Sequence, residues 1–146
     1  MFTLYDDNNI FAKILRDEAP CHKLYEDEFS LSFMDIRPVV EGHALVISKA
    51  SARNILDCPP AVLAGVILTT QRIARGVKKA FDAQGVTIKQ FNEVSGGQEV
   101  FHLHFHVLPR KTGVPLRPRP ASMASDSSLS MQATAIRKAL SSLGMP

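Results

Sequence analysis

The sequence predicts an α+β domain with a mainly antiparallel sheet of five strands, a short N-terminal helix, one long helix and a C-terminal helix. Two observations predict this class. Short extended runs neighbour one another across polar turns, which is typical of hairpins. Apolar residues also recur at helical spacing in two segments, one after Pro59-Pro60 and one near the C-terminal end. Hairpin-like strands combined with a few helices indicate an antiparallel sheet packed against helices.

The N-terminal part contains a short helix and three strands. Asn8 or Asn9 can cap a helix over about 10–17, because a side-chain oxygen there accepts a first-turn N–H. Pro20 then excludes further helix. Strands are predicted over 22–26, 29–34 and 43–48, the first two joined by the polar turn Asp27-Glu28.

The C-terminal part begins with the long helix. Proline suits the first turn of a helix, so Pro59-Pro60 marks its start, and Gly85 is expected to end it. Ser125 or Asp126 can cap the last helix, which Gly144 ends. Between the two helices, strands are predicted over 86–92 and 100–110, and a proline-rich arm over 111–125.

The composition is that of one ordinary globular domain. The 146 residues are 45% apolar and 21% charged, which predicts a single domain over 1–146. Its core is expected over about 9–110, followed by the arm over about 111–125 and the C-terminal helix over about 126–143.

Charge, cysteine content and hydropathy exclude several classes of function. No apolar run is long enough to span a bilayer, and the start MFTLYDDNNI lacks the pattern of a secretory signal. Cys21 and Cys58 lie far apart, so we expect two reduced thiols in a cytoplasmic protein. The net charge of +3 is too mild for a dedicated nucleic-acid-binding domain. We therefore expect neither a nucleic-acid nor a membrane partner.

The segment VFHLHFHVLPR, residues 100–110, holds three of the five histidines of the chain. Side chains alternate between the two faces of a strand, so His102, His104 and His106 are predicted to share one face with Val100 and Leu108. The other face would carry only apolar residues and pack on the long helix. These are Phe101, Leu103, Phe105 and Val107.

Three explanations of the histidine row compete. Surface histidines would need no function, but three on one face beside a glycine turn make this the weakest explanation. A metal site is possible in principle, although His102 and His106 would lie roughly 13 to 14 Å apart at Cα, too far to share one ion comfortably. An extended phosphate group fits best, because neighbouring imidazoles can act as nucleophile and as proton donor near neutral pH. The turn Ser95-Gly96-Gly97-Gln98 could direct backbone N–H groups to the same anion.

These residues resemble the histidine triad (HIT) family of nucleotide hydrolases and transferases, and most closely its bacterial Hint-like members. HLHFHVL fits the family pattern of three histidines separated by apolar residues. The resemblance extends from about residue 9 to residue 117. Its further motifs are IFAKI, LYEDE, SFMDIRP, GHALVISK and FNEVSGGQEVF.

The resemblance implies a HIT-like fold, a homodimer with a ten-stranded sheet, and a set of site residues. His104 would attack the α-phosphorus, His106 would contact the phosphate, and His102 and His43 would support the imidazole network. The implied phosphate-binding residues are Asn92, Gly97, Gln98, Glu99 and Val100. The implied ribose- and base-binding residues are Asp35, Phe11, Ile14, Phe33 and Ile36.

The chain also departs from the family pattern. Many relatives have Cys-x-x-Cys near the start and a histidine after the third strand, which bind a structural zinc. The corresponding stretches here are Asn9-Ile10-Phe11-Ala12 and Lys49-Ala50-Ser51-Ala52. We therefore expect no metal and no other cofactor. Several relatives have Ser or Thr where this chain has Glu99, and an ionised carboxylate cannot donate a hydrogen bond to a leaving group.

The implied function is a purine nucleoside phosphoramidase or related nucleotidyl hydrolase. It would act on a phosphorus–nitrogen or phosphoric anhydride bond through a nucleotidyl-histidine and release AMP or GMP. Two alternatives stay open at this point. One is a dinucleoside polyphosphate hydrolase of the same family, and the other is a nucleotide-binding regulatory dimer with little catalysis.

Overall fold

A computed structural model of the chain describes residues 4–144. It contains three α-helices, five strands and one short 3₁₀ helix in these residues. In chain order they are α1 (Ile10–Leu15), β1 (Lys23–Glu26), β2 (Ser30–Met34), β3 (Ala44–Ser48), α2 (Pro60–Ala80), β4 (Gly85–Lys89), the 3₁₀ helix (Val94–Gly96), β5 (His104–Arg110) and α3 (Asp126–Ser142).

The five strands form one antiparallel sheet in the order β1-β2-β3-β5-β4. The predicted fold class is therefore confirmed, with three helices and five strands. β5 inserts between β3 and β4, so the histidine strand is internal and its backbone is held from both sides. Its register pairs His106 with Leu45 of β3 and with Lys89 of β4.

One face of the sheet packs against α2 and α3. Val66, Ile73 and Val77 of α2 are fully buried against the strands, and Leu103, Phe105 and Val107 belong to the same core cluster. α3 lies against α2 at Gly76, where a Cβ atom would come within 2.7 Å of a Leu140 methyl group. The predicted packing of the apolar side of β5 on the long helix is thus confirmed for these three residues, whereas Phe101 is only half-buried beneath the Arg53 guanidinium.

The opposite face of the sheet carries the histidines and is called the histidine face below. His104 pairs with Ile47 and His106 with Leu45, so all four side chains project to this side. α1 covers part of the face, and Asn9 caps this helix by accepting from the Ala12 N–H at 2.9 Å.

Several predicted element boundaries are wrong. α2 ends at Ala80 rather than Gly85, because Asp82 adopts a left-handed conformation and the Ala83 N–H closes the helix on the Lys78 carbonyl. Gly85 instead begins β4, which ends at Lys89 and not at residue 92.

The last strand begins at His104 and not at Val100. The Leu103 N–H donates to the Ala52 carbonyl, which lies beyond the end of β3, so regular pairing stops there. His102 therefore precedes the strand, and its position does not follow from strand alternation.

The arm, residues 111–125, folds back on its own chain. The Arg117 N–H donates to the Val39 carbonyl at 2.9 Å and the Ala124 N–H to the Ile36 carbonyl at 2.8 Å. The arm thus lies beside the loop that joins β2 to β3. Within residues 4–144 no helix has the length and apolar character needed to cross a membrane.

Candidate active site

Four polar side chains converge on the histidine face from three adjacent strands. Asp35 follows β2, His43 precedes β3, and His104 and His106 belong to β5. The antiparallel register places the end of β2 beside the start of β3, and His106 lies one strand away. All four are buried or half-buried, so the predicted grouping of His43, Asp35, His104 and His106 exists in the fold.

His104 is held as a neutral ring with a free Nε2. Its Nδ1 lies 2.6 Å from the His102 carbonyl oxygen. A carbonyl only accepts, so Nδ1 carries the proton and the lone pair belongs to Nε2. Burial is the largest influence on the ring and lowers the pKa of His104, against an opposing effect of the His102 carbonyl. The arrangement leaves the Nε2 lone pair free at neutral pH, which is the state that a nucleophilic imidazole requires.

A second chain of hydrogen bonds fixes His43 and His106. The Val39 backbone N–H donates to His43 Nδ1 at 3.1 Å, so the proton of a neutral His43 is on Nε2. That Nε2 donates to His106 Nδ1 at 2.9 Å. His106 therefore carries its own proton on Nε2, available to a ligand. Burial lowers the pKa of both His43 and His106 to about 3, which keeps the pair neutral.

The same cluster has the spacing of a metal site. One ligand atom each from Asp35, His43 and His106 lies within 4.8 Å of the others. A metal at His43 Nε2 would displace its proton to Nδ1, where it would face the Val39 N–H, so the Val39 donor opposes this site. The hydrogen bonds between these groups explain their convergence, and the expectation of no metal stays a prediction.

His102, whose carbonyl accepts from His104, is fully buried. Its Nε2 donates to the Ser48 carbonyl at 2.7 Å, and its Nδ1 accepts from the Tyr5 hydroxyl at 2.5 Å. Asn9 Nδ2 donates to the same hydroxyl at 3.0 Å. Tyr5 thus satisfies the nitrogen of His102 that would otherwise be buried without a partner. Sequence reasoning missed Tyr5, since nothing near it in the chain signals a partner 97 residues away.

The predicted base-binding residues form an apolar wall beside the histidines. Phe11, Ile14 and Phe33 are buried in one cluster on the histidine face. The Phe11 ring contacts the His104 ring edge-on at 4.9 Å between centroids. Ile36 is 41% exposed and lies outside this cluster. An open cleft of about 380 Å³ between α1 and the β1–β2 edge shares only Ile14 with the predicted wall.

The glycine loop, residues 93–98, is held by side chains from outside it. Glu93 has φ 65° and ψ 164°, a conformation that costs a non-glycine residue about 1–3 kcal/mol. Arg53 makes a two-pronged ion pair with its carboxylate, and Asn54 donates to it at 2.5 Å. These contacts were missed by sequence reasoning, although Glu93 directly follows the predicted Asn92.

The Gln98 side chain acts as a clamp that holds the glycine loop in place. Its Oε1 accepts from the Asn54 side chain and the Glu93 N–H, and its Nε2 donates to the carbonyls of Arg53 and Val100. All its hydrogen-bonding capacity is used within the protein. Its predicted contact with phosphate would require these bonds to rearrange.

The other residues predicted to bind phosphate differ in how accessible their polar groups are. The N–H groups of Gly96, Gly97 and Gln98 donate to carbonyls inside the loop, so the glycine turn does not aim them at an anion. The Val100 N–H has no partner within the described part of the chain. Asn92 accepts from the Ile55 N–H, and the side chain of Glu99 is 74% exposed.

Because the histidines are buried and neutral, we expect the fold to lose stability at pH values well above those at which carboxylates take up protons. The folded pKa is about 3 for His43 and His106 and about 4 for His102, against 6.5 in the unfolded chain. As the pH falls below 6.5 the unfolded chain therefore binds protons that the folded chain does not. Each histidine lowers the free energy of unfolding by up to about 1.4 kcal/mol per pH unit.

Urea unfolding at half-unit steps from pH 7.5 to 4.5 measures this loss. We expect a plateau above pH 7 and a steady decrease below pH 6.5, with a smaller slope in His43→Asn. A stability that stays constant between pH 6.5 and 4.5 would contradict the buried, neutral network.

Removing the Tyr5 hydroxyl is expected to destabilise the fold. Tyr5→Phe keeps the ring that packs edge-on against His102 but leaves His102 Nδ1 buried without a donor, which costs about 1–3 kcal/mol. Tyr25→Phe is the matched control, because its partner Asp27 keeps bonds from backbone N–H groups and from Thr69. Equal unfolding midpoints for the two variants in urea would argue against this role of Tyr5.

The chain is similar in sequence and fold to known proteins of one family. The HIT domain model matches residues 16–113. A crystal structure of a Hit-like protein involved in cell-cycle regulation from Bartonella henselae, with an unknown ligand, is 47% identical. It superposes with a TM-score of 0.88 and covers 94% of this chain and 100% of the other.

Two curated relatives have named activities. An adenylylsulfatase from Arabidopsis thaliana is 36% identical over 70% of this chain and 52% of its own length. An adenosine 5′-monophosphoramidase from Saccharomyces cerevisiae is 38% identical over 70% of this chain and 62% of its own length. The chain thus spans about half to three fifths of these two relatives. With the family match covering residues 16–113 and the triad assembled on one face of the sheet, the chain belongs to the histidine triad (HIT) family.

Proposed function

We propose that the chain is a nucleotide hydrolase that transfers a nucleoside monophosphate to His104 and then to water. The observation that carries this proposal is the 2.6 Å hydrogen bond from His104 Nδ1 to the His102 carbonyl, which leaves Nε2 unprotonated on the histidine face. A buried imidazole with one fixed proton has the properties of a nucleophile and not of a general acid.

In the first step His104 Nε2 attacks the α-phosphorus of the nucleotide. A phosphorus–nitrogen bond forms, and the bond from phosphorus to the leaving group breaks with its electron pair passing to that group. The imidazole becomes positively charged during attack. Its hydrogen bond to the His102 carbonyl then becomes charge-assisted and therefore stronger in the transition state than in the ground state.

In the second step water attacks the same phosphorus. The phosphorus–nitrogen bond breaks, its electron pair returns to Nε2, and one proton of the water is released. His106 supports both steps by presenting Nε2–H to a non-bridging phosphate oxygen, an orientation set by His43 and the Val39 N–H. Lys89, opposite His106 in the β4–β5 register, adds positive charge beside it.

Asp35 and the apolar wall would hold the nucleoside. Asp35 Oδ1 accepts from the Arg37 N–H, and Oδ2 lies 3.4 Å from His43 Nε2. The carboxylate retains accepting capacity for ribose hydroxyl groups. Phe11, Ile14 and Phe33 offer an apolar surface for a purine next to His104. AMP or GMP is the expected product.

The two relatives with named activities support the adenylyl group as the transferred part. One name implies sulfate as the leaving group and the other an amine. The common element is a nucleoside monophosphate bonded to a variable group, which agrees with a site built around the α-phosphorus. Phosphoramidase activity is our first choice, and dinucleoside polyphosphate hydrolysis is the alternative within the family.

We further propose that the chain forms a homodimer through the β4 side of the sheet. β4 is an edge strand, and Ile88 on it is 48% exposed. Ile67 of α2 is also an exposed apolar residue, at 44%. An unprotected edge strand and exposed apolar side chains favour pairing with a second copy.

The proposal is tested by release of AMP from adenosine 5′-phosphoramidate and from adenosine 5′-phosphosulfate. His104→Ala is expected to lower kcat by at least about 10³-fold, because no other group can form the covalent intermediate. His22→Asn is the matched control, since His22 pairs with Asp126 outside the cluster, and it should retain full activity.

Two results would overturn the mechanism. One is activity of His104→Ala within tenfold of the wild type. The other is a wild type that binds AMP but turns over neither substrate faster than His104→Ala, which would favour the nucleotide-binding dimer.

A further inference from the structure

The arm carries an arginine to the opening of the active site. Two bonds from Arg117 fix this part of the arm, from its backbone N–H to the Val39 carbonyl and from its Nε to the Pro38 carbonyl at 3.0 Å. Val39 is the residue whose N–H orients His43. The arm is therefore anchored on the loop that organises the imidazole network, and Arg119 lies two residues beyond the anchor.

Arg119 faces Glu99, which directly follows the glycine loop. Its Nη1 lies 4.0 Å from the Glu99 carboxylate. Glu99 follows Gln98, the clamp of the glycine loop, and precedes Val100, whose N–H lacks a partner among the described residues. Arg119 and Glu99 thus bring the arm and the end of the glycine loop together, and the charges of both residues act on His104.

The charge of Arg119 reaches the reacting histidines. Burial is the main cause of the low pKa of His43, His104 and His106, and Arg119 contributes to the lowering in all three. Lys89 and Arg117 contribute as well at His43. Three cations therefore act on His43, and Arg119, the one that also acts on His104 and His106, lies 4.0 Å from Glu99 beside the glycine loop.

The guanidinium is available to a ligand. The side chains of Arg119 and Glu99 are 38% and 74% exposed, and their separation of 4.0 Å is at the limit of an ion pair. Such a pair contributes little to stability and exchanges readily for a better partner. A sulfate or phosphate group offers two oxygens that match the guanidinium fork. A single distant carboxylate oxygen does not match it.

We propose that Arg119 binds the leaving group when that group is an oxyanion, a sulfate or a phosphate, and so sets substrate preference. This inference rests on the proposed attack of His104 on the α-phosphorus. As the bond from phosphorus to the leaving-group oxygen breaks, the electron pair and negative charge pass to that oxygen. Arg119 stabilises this charge and offsets the repulsion from Glu99. The nitrogen of a phosphoramidate instead takes a proton from solvent as its bond to phosphorus breaks, so it departs as a neutral amine and gains nothing from Arg119.

The test compares kcat/KM for three substrates in the full chain. Adenosine 5′-phosphosulfate and diadenosine tetraphosphate have oxyanion leaving groups, and adenosine 5′-phosphoramidate does not. For Arg119→Ala we expect kcat/KM to fall at least about tenfold for the first two substrates and by less than about threefold for the third. Arg119→Lys should recover part of the loss, because it keeps the charge without the fork. If kcat/KM of Arg119→Ala falls for only one of the two oxyanion substrates, Arg119 binds the leaving group of that substrate.

Two further variants separate binding from a structural role. Lys111→Ala removes a charge from the start of the arm, more than about 20 Å along the strand from His104, and should leave all three values unchanged. Glu99→Gln frees Arg119 from its competitor and should raise kcat/KM for the oxyanion substrates about two- to fivefold. If Glu99→Gln lowers these values as Arg119→Ala does, the pair only holds the arm in place and the inference is wrong.

The failure of this inference is distinct from failure of the proposed function. Equal loss on all three substrates in Arg119→Ala, or no loss on any, overturns the role of Arg119 while leaving His104 as nucleophile. A wild type inactive on all three substrates overturns both.

Discussion

The hydrogen bond from His104 Nδ1 to the His102 carbonyl is the interaction on which the rest of the site depends. It places the only proton of a neutral ring on the nitrogen that points away from the ligand. In the proposed mechanism it also gives the positive charge that forms during attack a partner already in position. The position of that carbonyl is fixed because the His102 ring is bonded at both nitrogens, to Ser48 and to Tyr5.

The sheet makes this arrangement possible because one of its faces packs against the helices and the other carries the histidines. Phe105 and Val107 bury the apolar side of β5 against α2, while His104 and His106 face the ligand. β5 is internal to the sheet, so its backbone cannot shift without breaking pairing on both sides. Burial that stabilises the fold thereby also desolvates the histidines and keeps them neutral. The low stability expected at acidic pH is the cost of that neutrality.

Much of the fold and of the site could be predicted from the sequence because both depend on local periodicity. Alternation predicted the two faces of β5, and helical spacing predicted α2 and α3. The exact ends of the helices and strands were harder to predict from the sequence. Asp82 ends α2 in a left-handed conformation that favours glycine, so Gly85 was the natural but wrong choice.

Contacts between distant segments could not be predicted in this way. Tyr5 lies 97 residues from His102, and Asn54 lies 44 residues from Gln98. The arm has no apolar period, so its return past Val39 to bring Arg119 near Glu99 was not visible. In each case a polar side chain pairs with a residue that the sequence did identify, either through a hydrogen bond or through opposite charge.

The central claim is a covalent bond between His104 and the transferred nucleotide, and trapping it is the most direct measurement. Wild-type protein mixed with adenosine 5′-phosphosulfate is quenched within the first turnover in alkaline denaturant, which preserves a phosphorus–nitrogen bond, and its peptides are analysed by mass spectrometry. The account predicts an adenylyl group on His104 that is absent in His104→Ala. An adenylyl group on another residue, or AMP released in the first turnover with no adduct at any time, would contradict it.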